Sequence, residues 1–188
     1  MAKVELELGK LIKLDKPVPM KYVDDAIRFL EPYREYPRER LIVMHVDELF
    51  RAYALHAAAI GSKGRFVYEP HDVYRPVILS DGRAFVLCHN HPFDLKAAPS
   101  PEDVEFTDCF ANAGRYMHIY LLDHIILSNT SEYSFRRSGR VLPPSPAYFL
   151  DGAYTKAFCA TSTLPLRARN RIPTTGWVLD CKRPRRQK

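Results

Sequence analysis

The chain has no apolar run of the roughly 18 residues or more that a membrane-crossing helix requires. Its opening stretch, MAKVELELGKLIKLDKPVP, scatters charges where a secretory leader needs an unbroken apolar core and a small-residue cleavage site. Cysteine is scarce: four residues, Cys88, Cys109, Cys159 and Cys181, and no C-x-x-C pair. Such spacing supports neither a disulfide framework nor a cysteine-built zinc site, and it reads as reduced thiols. Internal repeats and low-complexity blocks are also missing, which sets solenoids and arrays aside. Together these absences make a cytoplasmic protein without membrane contact the expectation.

What is present suits one domain with an appendage. The 188 residues are 46% hydrophobic, ordinary for a globular chain. The net charge of +6 is unevenly spread. From Val141 onward there are nine Lys and Arg against two acidic residues, a balance of +7, which leaves the first 140 residues at −1. The same segment carries six prolines, yet it also holds Tyr148, Phe149, Phe158 and Trp177. Residues 141–188 therefore read as a Pro-rich, basic, partly disordered extension. One reading of its charge is a solvated chain end; another is contact with nucleic acid or an acidic partner.

Periodicity places the elements. Tyr22–Tyr33 has helical spacing and Pro32 near its end. Arg40–Asp47 is an apolar run of strand length. Arg51–Gly61 is ambiguous: its alanines suit a helix, but its position after a short turn suits the second strand of a hairpin. RFVYEP reads as a short extended segment. Pro70–Gly82 reads as a helix despite Pro76, and Ala84–His89 as a buried strand. The segment beginning at Ser100-Pro101 is a further helix. Strands follow in HIYLLDHIILS and YSFRR. The order predicts a mixed sheet with helices packed on it.

The stretch CHNHPFDLKAAPSPED, Cys88–Asp103, carries the chemistry. Alternate residues of a strand face the same side, so His89 and His91 present both imidazoles together while Cys88 and Asn90 face away. Pro92 cannot donate to the ladder and ends it. Pro101 then stands at the first helical position and Asp103 at the third, on the positive end of the helix. If the loop folds back, two imidazoles and a carboxylate meet, with a fourth position open, which is the composition of a catalytic zinc site. The same letters also allow a strand, a loop and a capping box with no metal at all.

The motif resembles the JAMM metalloprotease signature, H-x-H followed by S-x-x-D, and most closely its RadC-like branch, which runs H-N-H-P, a short loop and P-S-x-x-D. EPHDVYRP, LLDHIILS, YSFRRSG and GSKGRFVYEP are similar to further segments of that branch, so the likeness spans about Arg38 to Gly139. Two features depart from it: the loop between Pro92 and Ser100 is one residue longer, and FDLKAA replaces the usual Gly-containing turn.

The resemblance implies an α/β (α+β) fold with a mixed central sheet flanked by helices, JAMM/MPN-like and cytidine-deaminase-like. It implies residues 1–37 as an N-terminal segment with one helix, 38–140 as the metalloprotease domain, and 141–188 as the extension. It further implies one zinc ion held by His89, His91 and Asp103, with Glu39, eight residues before Asp47, as general base and Ser100 steadying the tetrahedral intermediate. Asp123 and His124 become candidates for supporting the ligands. The expected activity is hydrolysis of a peptide or isopeptide bond in a protein substrate. Two other readings stand beside it: a DNA-associated accessory protein of the RadC type that contacts DNA through the basic tail, and a metal-bound scaffold that binds a partner without cleaving it. Of the remaining histidines, His45 and His56 are expected to be packed within strands, His71 exposed, and His118 and His124 to flank a strand.

Overall fold

The computed structural model describes residues 5–61 and 69–141. Six strands form one sheet: β1 (Ile12–Pro19), β2 (Arg40–Val46), β3 (Arg51–Ile60), β4 (Ala84–His91), β5 (Tyr120–Ser128) and β6 (Glu132–Ser134), in the order β1-β3-β2-β4-β5-β6. Three α-helices accompany it among the described residues: α1 (Val23–Leu30), α2 (Pro70–Leu79) and α3 (Pro101–Met117). Among the six strands of the described residues β4 and β5 alone pair in parallel, joined by α3, and the other strand pairs are antiparallel. The fold is thus α+β with a mixed central sheet, as the order of elements predicts.

Both faces of the sheet are covered, which is why its central strands are apolar on both sides. On one face Ile42, Met44, Val86, Cys88, Ile125 and Leu127 pack with Val23, Ala26, Ile27 and Leu30 of α1. On the other, Leu41, Val43, Phe85 and Leu87 pack with Val73 and Val77 of α2 and with Phe106 and Phe110 of α3. The β4 residues of this second face, Phe85 and Leu87, continue in the same alternation to His89 and His91. Cys88 is a buried core residue on the α1 side.

The structure closes one open reading and changes others. Arg51–Gly61 is a strand because β3 has a partner along each edge, and that pairing outweighs the helix preference of its alanines. The turn before it is built by Asp47, whose Oδ1 accepts from Leu49 N (3.0 Å) and Arg51 N (2.9 Å). β1 is an addition to the expected elements. Most of its residues are half-buried or exposed, and Lys13, Lys16 and two prolines disguise it, as suits a strand at the sheet edge. The strand expected at YSFRR is displaced: β6 ends at Ser134, and Phe135–Gly139 is a turn. There the Arg136 N–H donates to the Asp123 carboxylate (2.9 Å), a side chain that takes the place of a ladder partner.

Pro32 lies in a 3-10 turn, Glu31–Tyr33, that ends the first helix. RFVYEP up to Tyr68, Cys159, Cys181 and the extension after Val141 lie outside the described residues. Among the described residues no helix is long and apolar enough to cross a membrane.

Candidate metal centre

His89 and His91 close β4 with their Nε2 atoms 2.9 Å apart. A turn follows, with Asp94 N–H donating to His91 O (3.3 Å). The Asp94 carboxylate comes within 3.1 Å of His91 Nδ1, a buried nitrogen with no hydrogen bond among the described residues. The chain then reaches α3, where Ser100 is the N-cap in a capping box. Ser100 Oγ accepts from Asp103 N (3.1 Å), while Ser100 N (2.8 Å) and Ser100 Oγ–H (2.8 Å) both donate to Asp103 Oδ2. Held so, the other Asp103 oxygen lies 3.3 Å from His89 Nε2, and Oδ2 is 3.9 Å from His91 Nε2. The cap and the approach of Asp103 to the histidines are therefore features of one arrangement.

Glu39 arrives from the far end of the sequence by strand register. Leu41 pairs with His89 across β2 and β4, and extending that register by two residues sets Glu39 opposite His91. Glu39, His89 and His91 each bring one ligand-type atom to within 4.8 Å of the others. Burial pushes the Glu39 carboxyl above the ordinary Glu range, with Asp103 and Asp94 adding to the rise and His91 opposing it. Asn90, turned to the opposite face, holds the segment that leads to Glu39. Its Oδ1 accepts from Arg40 N (2.9 Å), and its Nδ2 donates to Tyr36 O (2.9 Å) and Arg38 O (3.3 Å).

A second layer sets the tautomer of His89. Thr107 Oγ1–H donates to Asp103 O (2.6 Å), so Thr107 Oγ1 accepts from His124 Nδ1–H (2.6 Å). Complete burial holds His124 neutral, its pKa well below the usual imidazole value, with His89 and His91 adding to the effect. Its Nε2 is then an acceptor, and His89 Nδ1–H donates to it (2.8 Å). His89 is itself kept neutral by burial, so its Nε2 presents a lone pair to His91 and Asp103. Two Nε2 atoms facing each other at 2.9 Å require a proton or a cation between them.

His124 lies inside β5 rather than at its edge. A bulge in the β4–β5 ladder, with Phe85 opposite Leu121 but Val86 opposite Asp123, reverses the alternation and turns His124 toward His89. Asp123 is directed elsewhere. It accepts from Ser134 Oγ (2.6 Å), Arg136 N (2.9 Å) and His124 N (2.7 Å). Burial raises its pKa to about 6, against the pull of those bonds.

The site thus brings together Glu39, His89, His91, Asp103, Ser100 and His124. Two imidazoles among carboxylates are a donor set suited to a divalent ion, zinc included. Around a tetrahedral zinc, ligand atoms stand roughly 3.3 Å apart given bonds of about 2.0–2.1 Å; the 3.3 Å between Asp103 and His89 matches that spacing, and the 2.9 Å between the two Nε2 atoms is tighter. His89 is buried while Glu39 and His91 are partly open to solvent, so the centre is reachable from one side.

The model of the RadC-like JAB domain matches residues 20–140. The chain belongs to this family. Among its relatives are a UPF0758 protein of Aquifex aeolicus, 30% identical over 138 residues, covering 73% of this chain and 59% of that protein. Another is a UPF0758 protein of Thermotoga maritima, 30% identical over 149 residues, covering 74% of this chain and 64% of that protein. The chain therefore spans less than two thirds of the length of these relatives. Within this RadC-like domain, two residues bearing on the site carry no signal in the sequence. Asn90 faces away, as its place in the strand predicts, but its clamp on the Glu39 segment spans 50 residues and has no local signature. Thr107 looks in sequence like any residue on a helix face.

Proposed function

We propose that this RadC-like domain is a zinc-dependent hydrolase of amide bonds, acting on a peptide or isopeptide linkage in a protein. The observation that carries the reading is the meeting of Glu39, His89 and His91 within 4.8 Å, with the Asp103 carboxylate 3.3 Å from His89. His89, His91 and Asp103 would hold the ion, and Glu39 remains as the base. The division between the two carboxylates follows their surroundings. Asp103 is anchored by two donors of its own helix cap. Glu39 is a partly desolvated carboxylate whose pKa burial raises, the direction that strengthens it as a proton acceptor. When bound, zinc would supply Lewis acidity, bringing the pKa of water toward neutrality and polarising the substrate carbonyl.

Glu39 takes the proton from the attacking water and delivers it to the leaving nitrogen. His124, through His89 Nδ1, keeps His89 in the tautomer whose Nε2 is a ligand. Ser100 now directs its hydroxyl to Asp103; its second role in this reading is to turn that hydroxyl toward the oxyanion.

The test is metal analysis of purified full-length protein, joined to peptide and isopeptide cleavage assays. One zinc per chain is expected, lost in His89→Ala/Asp103→Ala, with activity abolished in Glu39→Gln while zinc is retained. A zinc-free wild type, or a double variant that keeps its zinc, overturns the metal site. Zinc bound without cleavage, and partner binding unaffected by Glu39→Gln, favours the scaffold reading. The +7 balance after Val141 supports a further role in DNA contact. That role requires affinity for duplex DNA that falls steeply with salt and disappears when the extension is removed.

A further inference from the structure

The loop from Phe93 to Ala98 follows directly on His89-Asn90-His91-Pro92 and leads from the centre toward α3. Phe93, at 87%, is the most exposed large apolar side chain among the described residues, and Leu95, at 70%, stands two positions on. Both project from a braced backbone. Asp94 O accepts from Asn129 N (3.0 Å), Leu95 O from Thr130 N (3.2 Å) and Ser128 Oγ (3.1 Å), and Ala97 N–H donates to Ser131 Oγ (2.8 Å). The turn that displays Phe93 also closes on His91, through Asp94 N–H to His91 O (3.3 Å). The two apolar side chains are therefore held out toward water next to a metal-facing histidine, in a position fixed by hydrogen bonds.

We propose that Phe93 and Leu95 form an apolar lip that seats a bulky apolar side chain of a peptide substrate, at a residue flanking the bond to be cleaved. The inference rests on the hydrolase reading above. A peptide advances about 3.3 Å per residue, so a residue flanking a carbonyl held at the centre is within reach of a loop that begins at His91. The loop's own side chains select the kind of residue. Phe93 and Leu95 reward an apolar side chain, and the Asp94 carboxylate between them disfavours an acidic one.

The experiment uses the zinc-loaded full chain and calorimetric binding, with no need for turnover. The probes are acetohydroxamate, which chelates the metal alone, and hydroxamates carrying leucine, glycine or aspartate on the acyl side or the amine side. On one of the two sides leucine should bind about tenfold or more tighter than glycine, and aspartate weaker than both. The leucine advantage should vanish in Phe93→Ser/Leu95→Ser, with acetohydroxamate affinity unchanged. In Phe93→Lys the order of leucine and aspartate should narrow or reverse. Both substitutions lie on exposed side chains, and zinc content and circular dichroism verify the fold. No preference for leucine in the wild type, or a preference that survives the double variant, overturns the lip and leaves the metal centre standing. Failure of acetohydroxamate itself to bind overturns the hydrolase reading, and the lip with it.

Discussion

At the scale of single residues, the centre depends on side chains that do not touch the reaction. Thr107 accepts the His124 proton and so sets the tautomer of His89. Thr107→Val keeps the shape and removes that acceptor, so zinc affinity should fall by about 10- to 100-fold in a chelator competition. Asn90→Ala releases the Tyr36 and Arg38 carbonyls and the Arg40 amide. It should lower stability by about 1–3 kcal/mol in urea unfolding, and cleavage should drop more than zinc content does. A second buried pair gives a pH dependence. His56 Nε2–H donates to Asp72 O (3.0 Å), so its Nδ1 accepts from His45 Nε2–H (2.7 Å), an arrangement that requires a neutral His56 ring. Burial lowers His45 to about 3, with His56 contributing, and lowers His56 to about 4. Below pH of about 6.5 the unfolded chain takes up protons that the folded pair refuses. Their stabilisation is therefore complete above that pH and is lost as pH falls toward about 4 and then 3, at roughly 1.4 kcal/mol for each pH unit between a ring's unfolded and folded pKa. His89 and His124, also held neutral by burial, act in the same direction, whereas Asp123, raised to about 6, opposes them between about 6 and 3.8. In EDTA the urea midpoint should fall between about pH 7.5 and 4.5, a fall reduced when His45 and His56 are both replaced by Gln, and a flat profile would refute the neutral histidines.

At the scale of elements, α3 joins stability to the centre at both ends. Ser100→Ala removes the cap and one of the Asp103 donors, so it should cost about 1 kcal/mol and weaken zinc binding in the same protein. At the other end His118 adopts φ 54° and Ile119 N–H donates back to Gly114 O (2.9 Å). A Cβ on Gly114 would collide with the Ile119 carbonyl oxygen, so Gly114→Ala should lower the unfolding midpoint with zinc affinity near that of the parent. The start of α3 was legible from the sequence. Ser100, Pro101 and Asp103 stand at the spacing of a capped helix start, and local spacing is enough to specify a cap. β1 was not legible, because Lys, Asp and Pro residues hide the period of a strand that needs only one good edge. The bulge in β5 was hidden too: LLDHIILS reads as one unbroken strand, and the reversal of its faces is visible only against β4.

At the scale of the whole molecule, the sheet extends past the residues matched to the RadC-like domain. That match begins at residue 20, whereas β1 covers Ile12–Pro19 and pairs with β3. Removing residues 1–19 would strip Leu6 from the α1-side core and bare the edge of the alanine-rich β3. The truncated protein should unfold at lower urea and aggregate with rising concentration, which light scattering would register. A truncation as stable and monodisperse as the full chain would mean that β1 is dispensable.

Sequence by itself determined what alternation and short spacing can encode. His89 and His91 share a face because strands have a period of two, Pro92 ends the ladder, and Asp103 sits at the third position of a capped helix. The tertiary structure alone decided who meets that pair. Glu39 comes opposite His91 through the β2–β4 register, His124 reaches His89 through a bulge, and Thr107 completes the relay from the packed face of α3. His124 stands 35 residues from His89 in the chain, and Thr107 17 residues from His124. Register and packing are set by the fit of whole faces, and no local period records them.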